Sequence, residues 1–391
     1  MNDNDQAVVL HQGKDKAVRN RHPWIFSGAV RRMPSFTDGD LLPVVSAEGD
    51  FLGSGYFNSR CSIIGRMLTF DRRPPLEALD ESLKRAVARR RPFFDGQTTG
   101  RRLVNGEGDD CPGLVADFYD GVLVVQFSTL GMDRLKDFVL DRLSEIVAPT
   151  AVYEKSTLPS RREEGLPSGE GWLRGDPVRS VEILEDGLRY VVDIPDSQKT
   201  GFYLDQREMR RLARALAGGR RVLNAFSYTG GFSVAALAGG ATGADSVDLS
   251  ARAVELAAEN CRRNGFAGPS LGFFTADVFD FLRQRPLEYG LVVLDPPAFA
   301  KRKSEVMGAC RGYKDIHRLV FQKVPPGTLV FTFSCSFFVD ETLFRQVVFQ
   351  AAREADRGVR ILQRHHQALD HPVNIYHPES DYLKGFVLLV D

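Results

Sequence analysis

Two short runs of this chain end in residues able to do chemistry. Leu329-Val330-Phe331-Thr332-Phe333 runs into Ser334-Cys335-Ser336, and Leu291–Leu294 runs into Asp295-Pro296-Pro297. If both runs are neighbouring strands, a thiol and a carboxylate share one sheet edge and face a cleft rather than the core. A thiolate is a strong nucleophile in covalent catalysis, and a carboxylate beside it can hold a proton or an amino group. The alternative for Cys335 is a buried structural thiol, a common fate of free cysteine. Cys310 is a weaker candidate, and Cys61, Cys111 and Cys261 read as structural.

A second group reads as a cofactor site. The run Asn224-Ala225-Phe226-Ser227-Tyr228-Thr229-Gly230-Gly231 leads from a strand to a helix. Its glycines allow a tight turn and close approach of a ligand to the backbone. The next strand ends at Asp248, able to accept from both hydroxyls of a ribose, with Ser250 just beyond it. The third leads to Asp277, able to accept from an adenine amino group, and the fourth to Asp295. An acid after each of three successive strands points to an adenosine-containing ligand; the competing reading is that these residues only cap helices. GxGxxG is absent, which disfavours a nicotinamide dinucleotide and favours S-adenosyl-L-methionine (SAM).

The elements that must position these residues follow from pattern. Strands are expected at Arg221–Ala225, Ser246–Asp248, Leu271–Thr275, Leu291–Leu294, Thr328–Phe333, Val359–Gln363 and Gly385–Val390. Helices are expected at Phe232–Ala238, Ala251–Asn264, Val278–Arg283, Tyr313–Val324 and Glu341–Ala352. Alternation of this kind predicts a doubly wound, mainly parallel sheet, with ligands outside the carboxyl ends of its strands. The last strand, apolar and following a long loop, suits the methyltransferase variant, whose final strand inserts antiparallel. Upstream, short strands at Ala7–Leu10, Trp24–Phe26, Leu42–Val45, Phe51–Phe57 and Ser62–Leu68 suggest a small β-barrel. A helix over 76–92, strands within 103–127, a helix over 133–147, a loop over 156–177 and a hairpin turning at Glu185-Asp186-Gly187 follow. The expected domains are 1–72, 73–180 and 181–391.

Composition narrows the class. The 391 residues are 43% hydrophobic and 26% charged, with no run apolar enough to span a bilayer. The polar stretch Met1–Gln12 lacks the form of a secretory signal. Five cysteines without paired spacing indicate free thiols and no metal centre, and a cytoplasmic location is expected. Net charge is zero, yet Lys and Arg cluster in 11–32, 84–102 and 301–323. Such clusters suit phosphate contacts; Lys14, Arg19, Arg21, Lys301 and Lys303 are the candidate RNA-binding residues. The bland alternative is a solvated surface.

Methyl donor, thiol and carboxylate together suggest methylation of cytosine at C5. That carbon is a poor nucleophile, but thiolate addition at C6 makes it enamine-like. Asp295 would bond N3 and the amino group. The base that removes the C5 proton is not legible. Asp295-Pro296-Pro297-Ala298-Phe299 also resembles the motif of enzymes that methylate exocyclic amines, where an aromatic stacks on a flipped base. A non-catalytic RNA-binding protein is the third alternative.

The chain resembles the class I ribosomal RNA large-subunit methyltransferases that make 5-methylcytosine in 23S rRNA. The match is carried by Ser197-Gln198-Lys199-Thr200-Gly201-Phe202-Tyr203-Leu204-Asp205-Gln206-Arg207, then the 224–231 turn, Asp295–Phe299, Ser334-Cys335-Ser336 and His377-Pro378-Glu379…Tyr382-Leu383-Lys384-Gly385. The segment Gly13–Ala29 is similar to the family's PUA domain, and Arg102–Leu114 to its central domain. The resemblance implies an α/β protein: a PUA-like barrel, a central α+β domain and a Rossmann-like SAM domain, often dimeric. It implies 23S rRNA or a large-subunit particle as partner, Cys335 as nucleophile, and residues 199–207 over the methionine end of SAM. There Lys199 or Arg207 could pair with the carboxylate. One departure stands out: Phe337-Phe338 replace the histidines usual after Ser-Cys-Ser.

Overall fold

Periodicity after residue 205 translates almost directly into structure. The computed structural model describes residues 6–391, so the first five residues of the Met1–Gln12 stretch lie outside it. The described chain forms two compact units. One holds the residues up to Ile183 together with Val192–Leu204 and Leu369–Ser380; the other holds Leu184–Val191, Asp205–Ala368 and Asp381–Asp391.

The second unit is built on seven strands: β1 (Arg221–Ala225), β2 (Gly243–Asp248), β3 (Leu271–Thr275), β4 (Leu291–Leu294), β5 (Thr328–Ser334), β6 (Val359–His365) and β7 (Lys384–Val390). Their order is β3-β2-β1-β4-β5-β7-β6. The first five are parallel, and β7 inserts antiparallel between β5 and β6. Six helices accompany them: α1 (Arg207–Leu216), α2 (Gly231–Ala238), α3 (Ala251–Arg263), α4 (Val278–Gln284), α5 (Val306–Lys323) and α6 (Glu341–Glu354). The strand order turns back beside β1, so the β1 and β4 ends form the switch point where such sheets bind ligands. Separate apolar clusters cover the two faces, one around Tyr313, Phe321 and Phe344, the other around Phe232, Phe331 and Phe333.

Helix α5 begins seven residues before the expected Tyr313, because Gly308 and Gly312 obscure its amphipathic pattern. Within it His317 is wholly buried. Its Nδ1–H donates to the Tyr313 carbonyl (2.6 Å), and its Nε2 accepts from Thr332 Oγ1 (2.7 Å). Burial lowers its pKa from 6.5 to about 4. The unfolded chain therefore binds the extra proton between those values, and stability falls as pH drops through that window. At ~1.4 kcal/mol per unit, this group alone removes roughly 3 kcal/mol. Urea unfolding at pH 7 and pH 4.5 is expected to show a shallower acid loss for His317→Gln than for the parent chain.

The first unit contains a six-stranded sheet of Trp24–Phe26, Ile63–Thr69, Phe51–Phe57, Leu41–Val45, Val8–Leu10 and Val30–Arg32 in that spatial order. It also contains a five-stranded sheet that includes Gly100–Asn105, Leu114–Tyr119 and Val122–Phe127. The expected loop over 156–177 is corrected: Gly169–Arg174 is a strand, paired antiparallel with Ala151–Ser156. It lies at the sheet's edge, where backbone pairing suffices and no apolar alternation is required. Its partner was masked by charge, since Glu154 and Lys155 are both buried. Lys136 neutralises Glu154 (2.8 Å), and Lys155 donates to the carbonyls of Ile194 and Pro195. The helix expected over 133–147 is two helices, Leu130–Arg134 and Lys136–Val147. The hairpin turns on Asp186 (φ 53°) and Gly187 (φ 79°), the positive pair that its Asp-Gly sequence favours.

Candidate active site

The turn after β1 is a concentration of unusual backbone. Phe226 (φ 61°), Tyr228 (φ 44°) and Gly230 (φ 78°) all adopt left-handed conformations. For bulky residues that conformation is rare and strained, and such strain collects at ligand sites. A side chain at Gly230 would meet Ala257 of α3 at 2.8 Å, so only glycine lets the turn lie so close. Asn260 Nδ2 ties the turn down by donating to the Thr229 carbonyl (2.9 Å).

Asp248, at the end of β2, braces the same turn. One carboxylate oxygen accepts from the Tyr228 N–H (2.8 Å) and the other from the Ser250 N–H (3.0 Å). The residue is half-buried, so the carboxylate keeps access to a ligand. Ser250 Oγ caps α3 by accepting from Ala253 N–H. Thr229 Oγ1 is buried without a hydrogen-bond partner. An orphaned hydroxyl, a cradle only glycine can form and a half-open carboxylate fit an adenosine-bearing ligand. Asp277 is exposed and caps α4, accepting from Asp280 N–H (3.1 Å), which leaves its other oxygen uncommitted to the cap.

Strand β4 aligns with β5 with Leu294 opposite Thr332, so their carboxyl ends emerge side by side. The Cys335 thiol is half-buried and lies 4.0 Å from the Pro296 carbonyl. Ser336 staples the two loops: its Oγ accepts from Ala300 N–H (3.2 Å) and meets the Tyr313 hydroxyl (3.2 Å). Lys384, opposite Ser334 on β7, donates to the carbonyls of Ser336 and Tyr382, both at 2.8 Å. Burial lowers its pKa, an effect opposed by the charges of Cys335, Asp381 and Asp340. An ammonium near the thiol favours thiolate. By contrast, burial pushes the Cys261 thiol up to about 12 and also raises Cys310. All five cysteines are free thiols.

The remaining expected site residues have defined surroundings. Arg207 is fully buried on α1 against Glu185 (3.4 Å), which Arg210 also grips at 2.6 and 2.7 Å. Lys199 belongs to the first unit, its Nζ 4.3 Å from the centre of the Tyr203 ring. Lys14, Arg19 and Arg21 are exposed in the first unit, and Lys301 and Lys303 in the second. Arg19 is already paired with both Asp15 and Asp50. Arg21 makes no side-chain bond.

Sequence reading missed one cluster entirely. His22, His377 and Glu379, from opposite ends of the chain, bring ligand-type atoms within 4.8 Å of one another. His22 Nδ1 accepts from Trp24 N–H (3.1 Å). The proton of the neutral ring is thereby fixed on Nε2, the atom facing Glu379 at 3.3 Å. That atom is a donor to the carboxylate rather than a metal ligand.

Fold and site together define a SAM-dependent methyltransferase. The pattern of the S-adenosylmethionine-dependent methyltransferase family matches residues 101–372, and that of the PUA-like domain matches 8–70. Ribosomal RNA large subunit methyltransferase I of Shewanella denitrificans is 39% identical over 392 residues, covering 98% of this chain and 99% of that protein. The protein of that name from Aeromonas salmonicida is 39% identical over 390 residues, with 97% and 98% covered. A solved methyltransferase in complex with SAH superposes with a TM-score of 0.85 at 24% identity, covering 98% of this chain and 99% of that one. A SAM-dependent methyltransferase from Streptococcus mutans gives 0.83 at the same identity and coverage. The chain belongs to the ribosomal RNA large subunit methyltransferase I family.

Proposed function

We propose that this enzyme methylates C5 of a cytosine in 23S rRNA, with Cys335 as covalent nucleophile and Asp295 holding the base. The observation that carries the reading is the half-buried Cys335 thiol beside the Asp295-Pro296-Pro297 loop, at a sheet edge shared with the β1–β2 cofactor turn. Asp248, Thr229 and Gly230, with Phe226, Tyr228 and Ser250 around them, would hold SAM, and Asp277 would take the adenine. Bound there, SAM supplies an electrophilic methyl group.

The chain's own residues do the rest. The Cys335 thiolate adds to C6, forming the S–C6 bond, and the C5–C6 π pair shifts onto C5. Asp295, accepting from the amino group, would in its protonated form place a proton on N3, which neutralises the charge that develops there as the thiolate adds. Once C5 carries the methyl, loss of the C5 proton restores the double bond and expels the thiolate. Phe337 and Phe338, exposed and packed edge to face 5.3 Å apart, offer aromatic surface to an unstacked base.

Methylation of an exocyclic amine is disfavoured by Phe299, the aromatic of the Pro-Pro motif. Its ring packs against Tyr313 (4.6 Å) and Phe279 (6.2 Å) instead of standing free for a base. The N-terminal sheet and the exposed Lys14, Arg21, Lys301 and Lys303 would bind RNA outside the target base. We divide the chain accordingly into an RNA-binding 1–72, a central 73–180 and a catalytic 181–391. Nucleoside mass spectrometry of 23S rRNA from cells with and without this protein is the test. One 5-methylcytosine lost with the protein is expected; loss of an N-methylated base would reject the reading.

A further inference from the structure

A groove of about 520 Å³ opens in the first unit, and none of its lining residues belongs to the cofactor turn. Every residue lining it belongs to that unit, including Pro372–Asn374 and Tyr376 from late in the chain. Four arginines line it: Arg21, Arg73, Arg85 and Arg89. Their charges are not equally spoken for. Arg73 is consumed by Asp71 and Glu81. Arg89 reaches Asp109 at 3.2 Å, but both oxygens of that carboxylate are already held at 2.6 Å by Arg90. Arg85 stands 3.6 Å from Asp110, beyond hydrogen-bonding distance. Burial raises the pKa of Asp110, an effect that the charges of Arg85 and Arg89 oppose.

Arg21 is the sharpest feature. It is exposed, forms no side-chain hydrogen bond or ion pair, and is held at φ 62°, a strained conformation for a long side chain. Arg85 and Arg89 lie one turn apart on the helix Pro75–Arg90, their Cβ atoms about 5–6 Å apart. That spacing is on the scale of successive phosphates. Tyr376, also in the lining, is 48% exposed. Arginines with surplus charge beside an exposed aromatic ring are what single-stranded RNA requires: phosphate contacts along a backbone and a face on which a base stacks.

We propose that this groove binds a single-stranded RNA segment, with Arg21, Arg85 and Arg89 on its phosphates and Tyr376 stacked on a base. The inference deepens the rRNA reading above by assigning where RNA beyond the target cytosine is held. An A-form duplex is a poorer occupant, because its bases are already stacked and cannot turn onto Tyr376.

The test uses the full chain carrying Cys335→Ala, so that no methylation intervenes, and a fluorescein-labelled single-stranded RNA of about ten nucleotides. Anisotropy titrations across a salt series compare it with added Arg21→Ala/Arg85→Ala or Tyr376→Ala. The double variant is expected to weaken binding at least tenfold and to flatten the slope of log affinity against log salt by about 1.4, two phosphates' worth. Tyr376→Ala is expected to cost at least fivefold with the slope unchanged. SAM affinity, measured by calorimetry, reports that each variant is folded. Unchanged RNA affinity and slope in the double variant would overturn the proposal, as would equal binding of a duplex of the same length. Failure of the rRNA reading looks different: groove-dependent binding persists while no 5-methylcytosine is lost from cells lacking the protein.

Discussion

Replacing Cys335 by alanine is expected to lower methyl transfer by about four orders of magnitude or more, because the reaction loses its covalent route and not merely a contact. Cofactor binding should survive. The thiol belongs to the β5 end, while the cofactor turn is braced by Asp248 and Asn260. Calorimetry with SAM and filter assays with labelled SAM and rRNA separate the two effects. A trapping experiment adds an independent readout. RNA carrying 5-fluorocytidine accepts the thiolate at C6 and the methyl at C5, but fluorine cannot leave C5 as a proton does. The parent chain should therefore accumulate a protein–RNA adduct stable to denaturing gels, and Cys335→Ala should form none. Wild-type transfer by the alanine variant would end the covalent reading.

The second large effect is expected at Asp248. Its two oxygens hold the Tyr228 and Ser250 N–H groups, and the same carboxylate is the proposed ribose acceptor. Asn is nearly isosteric but offers one acceptor oxygen and an NH₂ group. One backbone N–H would then face a donor, and a ribose hydroxyl would lose a charged acceptor. Hydrogen bonds to charged groups contribute about 1.5–3 kcal/mol, so Asp248→Asn should weaken SAM about 10- to 100-fold. Added SAM should correspondingly raise the thermal midpoint less than in the parent chain. Equal SAM affinity in the two proteins would remove Asp248 from the site.

Much of the catalytic sheet was legible because a buried parallel strand must be a short apolar run between turn signals. Arg221–Ala225 and Leu291–Leu294 fall where that rule puts them. The rule fails where burial is achieved by neutralising charge. Ala151–Ser156 carries Glu154 and Lys155 into the interior, and only their partners, Lys136 and two carbonyls, make that tolerable. Of the site, Asp248 and the 224–231 turn were legible because strand ends are fixed by pattern. Lys384 was visible only as part of a family motif. The antiparallel insertion of β7 was expected, but the nearness of Lys384 to Cys335 depends on its register, Ser334 opposite Lys384, which no local spacing encodes. The His22–His377–Glu379 cluster was beyond reach for the same reason, as was the burial of Arg207 beside Glu185.

The late segment Leu369–Ser380 closes a ledger opened near the start of the chain. The Asp370 carbonyl accepts from Arg90 Nη2 (2.7 Å), and its carboxylate accepts from the Arg102 backbone N–H (2.9 Å). Until Asp370 exists, a buried guanidinium and a strand amide lack these acceptors, a debt of about 1–3 kcal/mol for each group. On the ribosome, where early domains ordinarily fold first, this one lacks both contacts until Asp370 has emerged. A fragment cut at the first unit's apparent end, Ile183, would stay in that waiting state.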